Sequence, residues 1–173
     1  MALLLKADAS VAEETRQGLT PVHVAAKNGF TSLLSDFAKH GVNMRMVSRR
    51  TGLTPIHIAA LYGEAEAVRE LLTHVPSQLK SELPSSAATS LIKEFADEAD
   101  LTPLHLACFA GSDEAVRTLL NSPGTKVDAV SIPSGFSAIH FACQGGHIGV
   151  VGLLLSRSTL LLKVRWALLV FEH

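Results

Sequence analysis

Gly52-Leu53-Thr54-Pro55-Ile56-His57-Ile58-Ala59-Ala60 decides the fold of this 173-residue chain, because variants of this stretch occur four times. The other three variants cover residues 18–26, 100–108 and 135–143. Each has a histidine at its sixth position and a pair of small residues at its end. A stretch that recurs in this way indicates a chain built from similar structural units.

The spacing around each histidine is constant. A glycine follows after six residues, and apolar residues follow after eleven, fourteen and fifteen residues. No residue is inserted or deleted from five residues before the histidine to fifteen after it, whereas consecutive histidines are 34, 48 and 35 residues apart. Length therefore varies only between the units. The twelve apolar positions are Leu34, Phe37, Ala38, Val68, Leu71, Leu72, Val116, Leu119, Leu120, Val151, Leu154 and Leu155.

This pattern predicts two helices in each unit. Threonine can cap the free amides at a helix start, and proline fits the first helical position. Glycine favours the left-handed conformation that ends a helix, so the first helix is expected to be short. Apolar residues at i, i+3 and i+4 form one face of a second helix. The motif residues are Thr20, Pro21, His23, Gly29, Thr54, Pro55, His57, Gly63, Thr102, Pro103, His105, Gly111, His140 and Gly146.

A period near 33 residues that carries Thr-Pro-Leu-His-x-Ala resembles the ankyrin repeat. The resemblance implies an all-α solenoid of stacked helix-turn-helix units with finger loops between them. One helix pair cannot bury its apolar face alone, but stacked pairs can. The fourth unit departs from the pattern with Ser137-Ala138 in place of Thr-Pro. Serine can still cap, so we expect that helix to form with a less sharply defined start.

The repeats divide the chain into six segments. The first is a partial repeat, because Leu5 occupies the position expected for the last apolar residue of an earlier second helix. The segments are a partial preceding repeat (1–17), a repeat (18–51), a repeat with a long insertion (52–99), a repeat (100–134), an incomplete repeat (135–159) and a divergent apolar tail (160–173).

Two connections between the units are candidates for partner contact. The segment from Pro76 to Asp100 predicts a polar loop followed by a short amphipathic helix around 91–95; such long loops are often functional, although they are also tolerated at little cost. Arg45, Arg49 and Arg50 lie in the connection after the first unit. They could contact an acidic partner, but a solvated loop tip is the favoured interpretation, since scattered surface charge is common.

Composition limits the class of protein. A net charge of −1 and a pI of about 6.7 argue against nucleic-acid binding, which usually needs a basic patch and a high pI. Cys108 and Cys143 occupy equivalent positions in adjacent units. Packed helices lie about 8–10 Å apart, which is too far for an unstrained disulfide. We expect both thiols to be free, buried and reduced, which suits a cytosolic compartment.

No pattern predicts a catalytic, cofactor-binding or metal site. His105 with Cys108 and His140 with Cys143 have the spacing of zinc-ligand pairs, but alanine replaces the cysteine in the first two units. No nucleophile motif, phosphate-binding loop or dinucleotide fingerprint occurs. The apolar run at residues 160–171 is too short for a membrane span and contains Lys163 and Arg165. The sequence therefore predicts a protein that is not an enzyme, with no cofactor and no membrane span.

Within the ankyrin class, the sequence resembles the repeat arrays of TRPN channels, the no-mechanoreceptor-potential-C type of TRP channel. The resemblance lies in residues 101–107 and 118–122, in residues 145–158, and in the opening of the long insertion at 70–76. It extends over about Leu3 to Leu162 and includes segments between the repeats that the ankyrin consensus leaves free.

The TRPN resemblance implies a function that no motif shows. The chain would be a cytoplasmic tether or spring of a mechanosensitive cation channel, on the cytoplasmic side of the plasma membrane. Protein partners would contact its concave face and finger loops, with microtubules or neighbouring channel subunits as candidates. The chain has no pore and only four full repeats, so it would be a fragment of such a channel. The alternative is a small soluble, cytoplasmic ankyrin-repeat adaptor.

Overall fold

The structure is a computed structural model that describes residues 11–74 and 101–157. Three predictions lie outside the described residues: the leucines of the partial preceding repeat, the loop and helix of the long insertion, and the apolar tail. Within the described ranges the chain forms eight helices and no strand beyond an isolated bridge between Val130 and Ser137. The helices are α1 Pro21–Lys27, α2 Thr31–Lys39, α3 Pro55–Leu61, α4 Ala65–His74, α5 Pro103–Ala110, α6 Asp113–Asn121, α7 Ala138–Gln144 and α8 148–157.

The helices form consecutive pairs that stack in two layers. The first helices of the pairs, α1, α3, α5 and α7, pack side by side in chain order. The second helices α2, α4 and α6 pack side by side in the other layer, and each also packs on the first helix of its own pair. The prediction of an all-α stack of helix-turn-helix units is therefore confirmed.

The core runs along the stack between the two layers. The first helices of the first three units bury most of their residues, and Ile58 and Leu106 have no exposed surface. Each second helix buries one face, which includes Leu34 in α2 and Leu71 in α4. Burying such a side chain contributes about 1.5–3 kcal/mol, so the shared core holds the pairs together.

The last helix departs from the predicted apolar face. In α8 the fully buried residue is Val150, whereas Val151 is half-buried and Leu155 is 50% exposed. The equivalent residues Ala38, Leu72 and Leu120 are half-buried in the first three pairs. In those pairs a following second helix packs alongside, and no such helix follows α8 among the described residues.

The fourth unit also corrects an expectation about its start. Helix α7 begins at Ala138, the position equivalent to the prolines of the other units, and Ser137 is its N-cap. The predicted loss of definition is wrong, because Ser137 and His140 form the same capping box as in the other units. Proline favours a helix start, but the polar side chains on either side are sufficient to fix it here.

The long insertion does not interrupt the stack. Helix α3 packs against α5, and α4 against α6, although residues 75–100 lie between these units in the chain. Among the described residues, no helix has the length and apolar character that crossing a bilayer requires.

Candidate functional site

The four motif histidines each close the first turn of their own helix. His23 Nδ1 lies 3.2 Å from the amide nitrogen of Thr20 and 2.8 Å from its hydroxyl. The same pair of contacts joins His57 to Thr54, His105 to Thr102 and His140 to Ser137. In a capping box the third helical residue is usually Glu or Gln. Histidine takes that place here, and Nδ1 acts as the acceptor of the N-cap amide.

The other ring nitrogen links one unit to the next part of the chain. Since Nδ1 accepts the capping amide, the proton is assigned to Nε2. In His23, Nε2 donates to the Leu53 carbonyl of the second unit at 3.0 Å. In His105 it donates to the Ala129 carbonyl at the same distance. His57 Nε2 is buried and has no hydrogen-bond partner within the described residues, although the Leu101 carbonyl lies near it.

Burial keeps His23, His57 and His105 neutral. Desolvation lowers the pKa of His23 and of His105, and the carbonyls that accept from Nε2 oppose the effect. Desolvation lowers the pKa of His57 to about 3, again opposed by a backbone carbonyl. A buried imidazole whose Nδ1 already accepts two donors cannot take a second proton without breaking the cap. These rings are therefore structural in the folded chain.

The lowered pKa values predict a loss of stability in mild acid. Below pH 6.5 the unfolded chain binds protons at these histidines and the folded chain does not, so stability is present above pH 6.5 and falls as pH falls. Each such histidine can lower the free energy of unfolding by at most about 1.4 kcal/mol per pH unit, because it accounts for at most one extra proton on the unfolded chain. Urea unfolding measured at intervals between pH 7.5 and about pH 4.5 checks this.

The variant His57→Gln isolates one histidine. Glutamine can occupy the same position of a capping box, so the helix start is retained and the titrating ring is removed. We expect the variant to lose part of its stability at neutral pH but to depend less steeply on pH below 6.5. Identical slopes for the variant and the parent chain would contradict the assignment of His57 as neutral when folded.

The four motif glycines end their helices with positive φ values, between 67° and 73°. In three units the glycine also faces the unit that follows. A Cβ at Gly29 would overlap the Glu64 carboxylate, and a Cβ at Gly111 would overlap the His147 ring. At Gly63 a Cβ would lie 3.1 Å from that of Ser112. Glycine is thus required at these positions for two reasons, the positive φ value and the close approach of the next unit.

Glu64, Ser112 and His147 face these glycines, and each lies seven residues after the motif histidine of its own unit. The repeat pattern did not predict their role. Ser112 donates to the Gly63 carbonyl at 3.1 Å, and His147 Nε2 lies 2.8 Å from the Phe109 carbonyl. These contacts bridge adjacent units. The residue type at this position differs from unit to unit, so the repeat pattern does not reveal it.

The fourth unit presents the same motif without a covering neighbour among the described residues. His140 is exposed, whereas His23, His57 and His105 are buried. Nothing lies within 4 Å of a Cβ at Gly146. Cys143 is also exposed, while its equivalent Cys108 is buried. The expectation that both thiols are buried is therefore wrong for Cys143, because burial at this position comes from the following unit.

Burial also explains the state of Cys108. Desolvation raises the pKa of its thiol to about 12, so it stays protonated and inert. His105, three residues earlier, uses both ring nitrogens in hydrogen bonds to the backbone and to Thr102. Within the described residues no group of three or more His, Cys, Asp or Glu side chains is placed to hold a metal ion.

The connections after the first and third units form similar closed loops, which we call the first finger (residues 42–53) and the third finger (residues 125–136). In the first finger the Ser48 amide donates to the Leu53 carbonyl at 3.0 Å; in the third finger the Ser131 amide donates to the Phe136 carbonyl at 2.8 Å. Apolar residues are exposed at both tips, namely Val47 (49%), Val130 (50%) and Ile132 (54%).

In the first three units no residue of the first helix is exposed, but the aromatic residue that follows α3 is. Tyr62, at the C-cap of α3, is 42% exposed. The ammonium group of Lys27, at the end of α1, lies 4.8 Å from the centre of its ring, a cation–π contact between neighbouring units. We call the surface formed by these C-terminal ends of the first helices and by the two fingers the inner surface. Its exposed groups suit a protein ligand better than a small molecule.

A family model described as "Ankyrin repeats (3 copies)" matches residues 1–82 and again residues 79–162. These two matches cover all eight helices and the segments that connect them. No curated protein matches the chain.

Proposed function

Because the chain belongs to the ankyrin-repeat family, we propose that it is a non-catalytic module that binds other proteins through its inner surface. Ankyrin repeats are protein–protein interaction modules, and stacked repeats offer an extended surface to a partner. The observation that supports the inner surface is the exposure of the Tyr62 ring and of the apolar finger tips. Exposed aromatic and apolar groups of this kind are frequent at the centres of protein interfaces.

The polar groups of the repeat motif support a non-catalytic role. Thr20, His23 and their equivalents cap helices or join units, and the pKa of each buried ring is lowered by burial rather than by an opposing charge partner. General acid–base catalysis needs a titratable group within reach of a substrate. The buried histidines of the first three units have no such access.

Photo-crosslinking from the inner surface tests the proposal. A photoreactive phenylalanine analogue replaces Tyr62 in the full chain, which is then expressed in cells of its source. The matched control places the analogue at Arg117, which is exposed on the second-helix layer. We expect discrete protein adducts from position 62 and few from position 117. Equal adducts from both positions, or none from position 62 under conditions where the chain is folded, would contradict the proposal.

For the larger context we propose the ankyrin array of a TRPN-type mechanosensitive channel, with a soluble adaptor as the alternative. The segments between the repeats that resemble TRPN arrays support the channel, in which the stack would act as a tether or spring at the cytoplasmic side of the plasma membrane. Microtubules and neighbouring subunits are then candidate partners. A cytoplasmic adaptor would use the same inner surface.

A blot of native tissue separates these two contexts. An antibody against the segment from Pro76 to Asp100 is applied to membrane and cytosol fractions. A band far larger than 18.4 kDa in membranes supports the channel. A band near that mass in the cytosol supports the adaptor and excludes the channel for this chain.

A further inference from the structure

The first finger carries only positive charge. Arg45, Arg49 and Arg50 lie within residues 42–53, and that segment contains no Asp or Glu. All three arginines are exposed, as is Arg16 in the turn that the finger contacts, although Glu13 and Glu14 lie in that turn as well. The third finger differs, because its single cation, Lys126, is accompanied by Asp128. The charge of the first finger is therefore a local feature and not a property of every finger.

Hydrogen bonds hold the first finger against the turn of residues 11–17. The guanidinium of Arg50 donates to the Arg16 carbonyl at 2.7 Å, and the Arg49 amide donates to Glu14 at 2.9 Å. The Arg50 side chain is thereby fixed at one end while other guanidinium donors remain for a ligand. Fixing a charged side chain in advance lowers the entropy cost of binding.

Apolar groups accompany these charges. Val47, which is 49% exposed, lies between Arg45 and Arg49 in the finger. Farther along the inner surface, Lys27 adds a cation over the exposed ring of Tyr62. Carboxylates are concentrated instead on the second helices α4 and α6, at Glu66, Glu70, Asp113 and Glu114. Cations on the second helices, such as Arg69 and Arg117, offset most of these carboxylates, whereas no carboxylate lies within the first finger.

We propose that the first finger, with Arg16, is the docking surface for an acidic protein segment that also carries an apolar side chain. Carboxylates of the partner would pair with Arg45, Arg49 and Arg50, and its apolar group would contact Val47. This inference rests on the proposed function as a protein-binding module. A protein partner is favoured over nucleic acid because the chain has a net charge of −1, and phosphate backbones are usually bound by a longer basic stripe.

A peptide-binding assay tests the surface directly. The probes are a fluorescein-labelled synthetic peptide rich in Glu with a central Phe, and the same peptide with Lys in place of every Glu. We expect the full chain to bind the acidic peptide only, with an affinity that falls between about 50 mM and about 300 mM salt, since exposed charges are screened. The charge reversal Arg45→Glu/Arg49→Glu should weaken binding about tenfold or more.

The control variant is Arg117→Glu/Arg157→Glu, which changes the net charge by the same amount at exposed residues of the second helices α6 and α8, outside both fingers. It should retain most of the affinity. Equal binding of both peptides, an unchanged affinity in the Arg45/Arg49 variant, or equal losses in both variants would overturn the proposal. So would an oligonucleotide or an anionic lipid vesicle that binds more tightly than the acidic peptide with the same dependence on Arg45 and Arg49.

The peptide-binding assay and the photo-crosslinking experiment test the two proposals independently. If photo-crosslinking from position 62 yields adducts that persist in the Arg45→Glu/Arg49→Glu variant, the chain binds proteins but not through this charge pairing. If position 62 yields no adducts while the acidic peptide binds as expected, the first finger recognises acidic segments, and the wider inner surface is not the binding site.

Discussion

Ala60→Trp is expected to destroy the cooperative fold of the second and third repeats. Ala60 is fully buried in α3, which packs against α1, α4 and α5. Small additions of volume to a packed core cost about 1–3 kcal/mol, and an indole in place of a methyl group is a much larger addition. Because each repeat is stabilised by its neighbours, the loss of one repeat also removes its interfaces. We expect a destabilisation of at least about 4 kcal/mol, a large share of the stability of an ordinary domain.

Cys143→Trp is the matched control, because Cys143 occupies the position equivalent to Ala60 but is exposed. Its effect should stay within about 0.5 kcal/mol, as for most surface substitutions. Urea unfolding followed by far-ultraviolet circular dichroism measures both variants. Similar losses at the two positions would show that burial by the following repeat does not govern this site.

Gly111→Ala should be the most damaging of the glycine substitutions at the helix ends. It forces a side chain into a left-handed conformation, which costs about 1 kcal/mol or somewhat more. It also drives the new Cβ into the His147 ring, which must move and lose its contact with the Phe109 carbonyl. The expected total is about 2–4 kcal/mol. At Gly146 the φ value is nearly the same and the space is open, so Gly146→Ala should cost only about 1 kcal/mol.

A double-mutant cycle identifies the cause of the difference. In a His147→Ala background the ring is absent, so Gly111→Ala should cost no more than Gly146→Ala does in the parent chain. Unfolding free energies of the parent, the two single variants and the double variant suffice for the cycle. An undiminished cost of Gly111→Ala in the absence of the ring would refute the steric role of His147.

Most of the fold follows from local sequence. Threonine or serine, the residue after it and the histidine fix each helix start within one turn, and glycine fixes its end. These interactions span at most six residues, so a repeated stretch of nine residues and one glycine were enough to predict every first helix. The fourth unit shows the strength of this local signal, since α7 begins at the expected residue even without proline.

The features that sequence reasoning missed depend on a neighbouring unit. The exposure of Cys143 and His140 cannot be read from their own repeat, which resembles the third repeat closely at these positions. Lys27 and Tyr62 are far apart in the chain and meet only because α1 and α3 pack together. The contact of His147 with Gly111 likewise requires the stacking distance, which no motif encodes.

The binding surface was less predictable than the scaffold. Sequence reasoning placed partner contact on a concave face and finger loops without selecting residues, and it favoured a solvated tip for the arginines of the first finger. The structure adds that the Arg50 guanidinium and the Arg49 amide form hydrogen bonds to the turn of residues 11–17. Those bonds turn a run of charged residues into a surface of defined shape, which a linear pattern cannot show.

The packing of α3 against α5 and of α4 against α6 has a consequence for how this chain can vary. These helices meet as the other neighbouring pairs do, although residues 75–100 separate them along the chain. The length of that connection is therefore uncoupled from the geometry of the stack, and loop closure makes added length inexpensive. The junction after α4 is a natural graft site, where a foreign peptide or a small domain could be inserted without altering the register of the repeats on either side.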